Sequence, residues 1–162
     1  MSVWLFTHCL CMNKSTGKEI RMIRSSAVII LMVIALAVAG VSAAAEPEKE
    51  KAAAAAAEKW LALVDGGKYG ASWKEAAAYF KGTITQEKWE QALQGVRKPL
   101  GKAVSRKIVA KDYQTRLPGA PDGEYVVILF ETSFENKKDA IETVTPMLDK
   151  DGKWRVSGYF IR

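Results

Sequence analysis

Glu124-Tyr125-Val126-Val127-Ile128-Leu129-Phe130-Glu131-Thr132-Ser133-Phe134 decides the fold, because it is the only long run of β-branched and aromatic residues outside an N-terminal apolar segment. Such residues fit a pleated, packed surface, so the run reads as a central strand. Side chains alternate between faces along a strand, which puts Val126, Ile128, Phe130 and Phe134 on one apolar face that something must cover.

Helical patterns upstream supply the cover. Glu46-Pro47-Glu48 suits a first helical turn, and Ala52 to Ala57 carries the highest helix propensity of any residue type. The amphipathic stripe begins later, at Ala56, Ala57, Trp60, Leu63 and Val64, so the first turns are expected to project from the fold. Asp65-Gly66-Gly67 ends this helix. A second helix carries Tyr69, Trp73, Ala76, Ala77 and Phe80 as one stripe, with Ser72 and Glu75 spaced as a capping box and Gly82 closing it. Thr85 caps a third helix, whose stripe is Trp89, Ala92, Leu93, Val96 and Leu100, and Pro99-Gly101 stops it.

Beyond Gly101 the apolar period changes from 3.6 to 2. Lys102 to Leu117 reads as a strand with Val104, Arg106, Ile108 and Ala110 on one face, ending in the turn cluster Pro118-Gly119-Ala120-Pro121-Asp122-Gly123. After the central strand, Ala140 to Leu148 forms a third, where Pro146 requires a bulge or an unpaired side because it lacks an N–H for the ladder. Asp149-Lys150-Asp151-Gly152 is a hairpin turn, and Lys153 to Arg162 a fourth strand, with Trp154, Val156, Gly158 and Phe160 on one side. Gly158, inside a strand, marks a bulge or a close backbone approach. The predicted fold is α+β: three N-terminal helices packed on one face of a four-stranded antiparallel meander.

The same alternation leaves Tyr125, Val127 and Leu129, with Tyr159 and Ile161, on the face turned from the helices. An apolar patch there needs an explanation. Homodimerisation through the sheet is one; sheet curvature, or cover by the alanine-rich first helix, is the other.

The N-terminus sets the compartment. Arg21 and Arg24 precede Ala27 to Val41, and small residues follow at Val41-Ser42-Ala43 and Ala43-Ala44-Ala45, the layout of a secretory signal peptide over residues 22–45. The expected location is periplasmic or secreted. The run is short of the roughly 20 residues of a membrane span, so a membrane enters only if the segment stays uncleaved. Residues 1–21 read as a mis-called extension, with Met22 or Met12 the true start, and residues 46–162 as one domain. His8, Cys9 and Cys11 all lie in that extension. The mature chain then holds neither Cys nor His, which excludes Cys nucleophiles, Ser-His-Asp triads and His-Cys zinc sites; no metal and no cofactor is expected. Of the 24 basic residues four precede Ala44, and of the 18 acidic residues one, so the mature excess is only three positive charges. Spread along the chain, that is no footprint for nucleic acid.

The segments from Trp60 to Tyr69, Arg97-Lys98-Pro99-Leu100-Gly101, Leu117 to Tyr125, Thr132 to Lys137, Glu142 to Pro146 and Asp151 to Tyr159, in that order and spacing, resemble the secreted bacterial domain-of-unknown-function family catalogued as 4019. The resemblance implies a cystatin-like roll, similar to the nuclear-transport-factor-2-like superfamily, with helices in the concavity of a curved sheet. It implies no activity, catalytic residue or ligand. Catalytic relatives in that superfamily often pair a carboxylate with a tyrosine, for which Asp65, Asp112, Glu131, Tyr69 and Tyr113 are the candidates, though no spacing forces any two together. If the roll keeps a cavity, Tyr69, Trp73, Phe80, Val126, Phe130 and Trp154 are expected on its wall. The reading that results is an exported, non-catalytic domain that binds a partner protein or an apolar small ligand. The alternatives are an isomerase- or hydrolase-type enzyme with a carboxylate in the cone, and a tethered accessory domain.

Overall fold

The computed structural model describes residues 46–162. The extension, the signal segment and the His8, Cys9 and Cys11 readings lie outside the described residues. Four helices precede the sheet: α1 over residues 46–65, α2 at Tyr69–Lys74, α3 at Ala78–Thr83 and α4 at Gln86–Val96. A short 3₁₀ turn at Lys98–Leu100 leads into strands β1 (Ala103–Gln114), β2 (Tyr125–Phe134), β3 (Ala140–Leu148) and β4 (Trp154–Ile161). The strands form one antiparallel sheet in chain order β1-β2-β3-β4, so β2 and β3 are central and the fold is α+β as expected.

The face that fixes the layering is the expected one. Val126, Ile128 and Phe130 are 1% exposed or less and pack with Trp60, Leu61, Val64, Trp89 and Leu93 from the helices. Burying a side chain of this kind contributes about 1.5–3 kcal/mol. Helix α1 buries Ala53, Ala57, Trp60, Leu61 and Val64, a helical spacing shifted from the expected stripe, and leaves Ala56 and Leu63 half-exposed. Its early turns do not project. Lys49 Nζ lies 2.6 Å from Glu124 and donates to the Tyr113 hydroxyl at 3.2 Å, while Glu50 pairs with Lys111 at 3.3 Å, tying the helix to the end of the hairpin where β1 connects to β2. The helix closes as its glycines require: Lys68 N–H reaches Leu63 O at 2.9 Å, Gly67 N–H reaches Val64 O at 3.0 Å, and Gly67 takes φ +68°.

The second predicted helix is two helices. The chain turns extended at Ala77, whose N–H donates to Val156 O in β4 at 2.9 Å. A sheet hydrogen bond at that point outcompetes the helical one, and Asp149 Oδ2 then accepts from Ala78 N–H at 3.1 Å, capping α3 from across the fold. Ser72 forms no capping box. Its Oγ donates to Tyr69 O at 2.7 Å and accepts from Trp89 Nε1 at 3.0 Å. In α4, Thr85 caps as expected, but the buried line runs Trp89, Leu93, Arg97. Ala92 and Val96 are exposed, Arg97 having taken the inward place read for Val96.

Three register shifts re-aim side chains, two on β1 and one on β4. On β1 they fall between Ala103 and Ser105 and between Ile108 and Ala110; Val104 and Val109 are the extra residues and both are exposed. Arg106 and Ile108 keep the helix side, whereas Ala110, paired with Leu129, turns to the outer face. On β4 the shift lies opposite Thr145 and Pro146, the bulge that Pro146 predicts. Beyond it Tyr159 pairs with Val144 and Ile161 with Glu142, so both turn toward the helices and Phe160 turns away.

Candidate functional site

The bulge on β4 completes a polar network on the helix side of the sheet. One residue comes from each strand: Arg106, Thr132, Glu142 and Tyr159. The Glu142 carboxylate is fully buried. Its Oε2 accepts from Arg106 Nε at 2.7 Å and from Thr132 Oγ1 at 2.6 Å, and its Oε1 accepts from the Tyr159 hydroxyl. Arg106 turns its other two nitrogens to Asp65, at 2.6 and 3.0 Å, in the two-pronged geometry a guanidinium offers a carboxylate. Asp65 also accepts from Arg97 at 2.8 Å. Arg97, 3% exposed, donates to Gly101 O at 2.6 Å and lies over the Phe134 ring at 4.4 Å; its Nε is buried with no hydrogen-bond partner among the described residues.

Two carboxylates and two guanidiniums therefore alternate from the sheet centre to the helix ends, and the charges cancel. Asp65 is the last residue of α1, where the helix dipole disfavours a negative charge, and the two arginines offset that. The Gly101 turn holds Arg97 in place. Gly101 has φ +77°, and a Cβ there would meet Glu135 Oε2 at 2.6 Å, so any other residue would be strained and would push Glu135 aside.

The network titrates at both ends of the pH scale. Burial alone would raise the Asp65 carboxyl, but hydrogen bonds and charge from Arg106 and Arg97 outweigh it and hold the group below its usual range. A depressed carboxylate stabilises the fold above its unfolded value near about pH 4 and loses that contribution as pH falls through the folded value. Burial, followed by the charge and hydrogen bond of Glu142, pushes the Tyr159 hydroxyl well above the usual tyrosine range. A raised group stabilises the fold below its unfolded value, near about pH 10, and the contribution is lost as pH rises beyond it. Urea midpoints are therefore expected to fall below about pH 4 and above about pH 10. Asp65→Asn flattens the acid limb and Tyr159→Phe the alkaline limb; unchanged limbs in those variants count against the assignment.

The aromatic residues expected on a cavity wall mostly close the core instead. Phe80, Val126 and Phe130 are buried, and Tyr69 and Trp73 are half-buried against the same cluster. Trp60 meets Tyr159 edge-on at 5.3 Å and Trp89 at 5.9 Å, and Phe80 meets Trp89 at 5.0 Å. The indole N–H groups of Trp60 and Trp73 are consumed by Ser72 O at 2.7 Å and Ile84 O at 2.8 Å, and Trp89 is held by Ser72 Oγ. Trp154 alone of the expected wall lines an open cleft, about 250 Å³ in volume, between α1 and β4. A second cleft of about 330 Å³ lies beside the β2–β3 connection, where Arg106 and Thr132 show their outer sides between Lys107 and Lys138. Glu142 lines neither.

The acid-base candidates do not converge. Asp65 belongs to the network; Asp112 is exposed and accepts from Gln114 at 2.8 Å; Glu131 pairs with Lys107 at 2.7 Å on the outer face; Tyr113 donates to Glu124 at 3.0 Å; Tyr69 packs on the core. Glu142, the centre of the arrangement, was not among them. Its signal was present, a carboxylate sharing strand parity with Ala140 and Val144 on the inward face. Among the described residues there is no cluster of acidic, Cys or His side chains able to hold a metal ion. No helix among them is long and apolar enough to cross a membrane.

The candidate dimer face also changes. Val127 and Leu129 lie on the outer side, half-buried. Tyr125 is fully buried there: its hydroxyl donates to Pro121 O at 2.6 Å and its ring lies against Gly123, so the β1–β2 connection covers it. Tyr159 and Ile161 belong to the helix side, for the bulge reverses their parity. Phe160, 61% exposed, takes their place beside Thr143 and Leu129.

Fold and site together define a small α+β domain whose helix-side face is closed by packing and a neutralised ion network. Residues 56–159 match the family profile described as "Protein of unknown function (DUF4019)", and the chain belongs to that family. No curated protein and no solved structure gives a significant match, so the cystatin-like roll remains an implication of the resemblance alone.

Proposed function

We propose that this chain is an exported, non-catalytic interaction domain that self-associates through the outer face of its sheet. The observation that carries the reading is the contrast between the two faces. On the helix side, the buried carboxylate, Glu142, already accepts three hydrogen bonds and borders neither cleft; the acids that do line the clefts, Glu75 in one and Glu131 and Asp139 in the other, are exposed side chains. On the outer side, Val127, Leu129, Ile141, Thr143 and Met147 are half-buried and Phe160 is exposed, and the described helices pack on the opposite face. A two-fold interface must complement itself. Each end of this face carries both signs, Lys107 with Glu131 at one and Arg155 with Asp151 at the other, so an identical copy meets no net repulsion. Export follows from the signal-like segment ahead of the domain, with the periplasm or the medium as its place of work.

Light scattering tests the assembly. The parent protein is expected at twice its chain mass, and Leu129→Glu or Val127→Glu at one chain mass with an unchanged circular dichroism spectrum. A monomeric parent ends the reading.

A further inference from the structure

The cleft between α1 and β4 combines an apolar floor with a basic rim. Its floor is apolar, built from Trp60, Leu63, Trp154 and Val156. Its rim carries Lys59 and Lys153, both exposed and neither in an ion pair among the described residues, against the single carboxylate of Glu75. Arg155 also lines it, but Asp149 at 3.3 Å and Asp151 at 2.7 Å hold and neutralise that guanidinium. Among the described residues, the cleft thus presents two ammonium groups that form no ion pair.

Trp154 adds a directional group. Trp60, Trp73 and Trp89 spend their indole N–H groups on acceptors within the fold. Trp154 makes no such bond among the described residues, and its side chain borders the open cleft. An apolar floor with a few polar groups that fix orientation is the ordinary make-up of a small-molecule site, and about 250 Å³ falls just under the usual lower bound of about 300 Å³.

We propose that this cleft binds a small aromatic carboxylate, its ring against Trp154, Trp60 and Leu63 and its anionic end toward Lys59 and Lys153. The apolar floor selects the ring, and the excess of cations selects the charge. A neutral ring forgoes the second interaction and a polar anion the first. The residues that would hold the ligand lie off the outer sheet face, and only Arg155 borders both.

The probe is 2-naphthoate, titrated into the ¹⁵N-labelled protein while the indole N–H resonances are followed. A saturable shift of the Trp154 resonance is expected. The Lys59→Gln/Lys153→Gln pair, both exposed positions, weakens the affinity about fivefold or more, and the neutral analogue 2-naphthalenemethanol binds the parent more weakly by a similar factor. Raising the salt narrows the difference between the two probes. Leu129→Glu leaves naphthoate binding unchanged, which separates this site from the sheet-face assembly. No saturable shift up to the solubility limit overturns the proposal; so does equal binding of both probes, or full affinity in the double variant with its spectrum intact.

Discussion

Replacing Glu142 with alanine is expected to lower the unfolding free energy by about 3–5 kcal/mol, because it leaves the largely buried Arg106 guanidinium with Asp65 as its one carboxylate partner. Arg106 is held on one side by Glu142 and on the other by Asp65, with its side chain only 17% exposed. Removing Glu142 also orphans the hydroxyls of Thr132 and Tyr159. Leaving a buried donor unmatched costs about 1–3 kcal/mol. The check is urea unfolding at neutral pH, with the double variant Glu142→Leu/Arg106→Met beside the two single ones. The pair shares a hydrogen bond, so the double variant is expected to lose less than the singles added together, by about 1 kcal/mol or more. A loss under about 1 kcal/mol in Glu142→Ala would mean that water reaches Arg106, and the closed-face description would fail.

Trp60→Ala is the second large effect. Trp60 is 3% exposed and sits where α1 meets α4 and β4, edge-on to Tyr159 and beside Trp89. Truncating a buried tryptophan costs about 3–5 kcal/mol, part of it lost transfer energy and part the cavity left behind. Here Ser72 O also loses its donor. A fall in Tm of more than about 10 °C is expected by calorimetry. Trp154→Ala is the control: its side chain is half-buried at the cleft, and its loss is expected to stay well under half that of Trp60→Ala. Equal losses would show that α1 is not docked through Trp60.

Much of this fold was legible in the residues. The run from Glu124 to Phe134 gave away its buried face, since Val126, Ile128 and Phe130 follow the strand period without interruption. Strand ends were set within a few residues by Gly and Pro clusters, and Pro146 announced an irregularity in its ladder, a bulge or an unpaired side, because it has no N–H to give. Less was legible where an element's conformation depends on a partner far away in sequence. Nothing local breaks the helical stripe from Tyr69 to Phe80; the break comes from Val156 O accepting the Ala77 N–H. Tyr125 looks like an outward aromatic until the 118–123 turn folds over it.

The residues alone determined the order of elements, the inward face of β2, the glycine stop of α1 and the absence of Cys and His after residue 11. Each depends on period, propensity or composition, which local chemistry enforces. Tertiary structure decided which side of the sheet the ends of β1 and β4 present, and therefore that Tyr159 meets Glu142 while Phe160 meets solvent. One bulged residue reverses the parity of everything beyond it, and the position of a bulge is set by the neighbouring strand and the helices it must meet. The charge network depends on the same step, for Asp65, Arg97, Arg106 and Glu142 are scattered along the chain and become one unit only when the sheet brings them together.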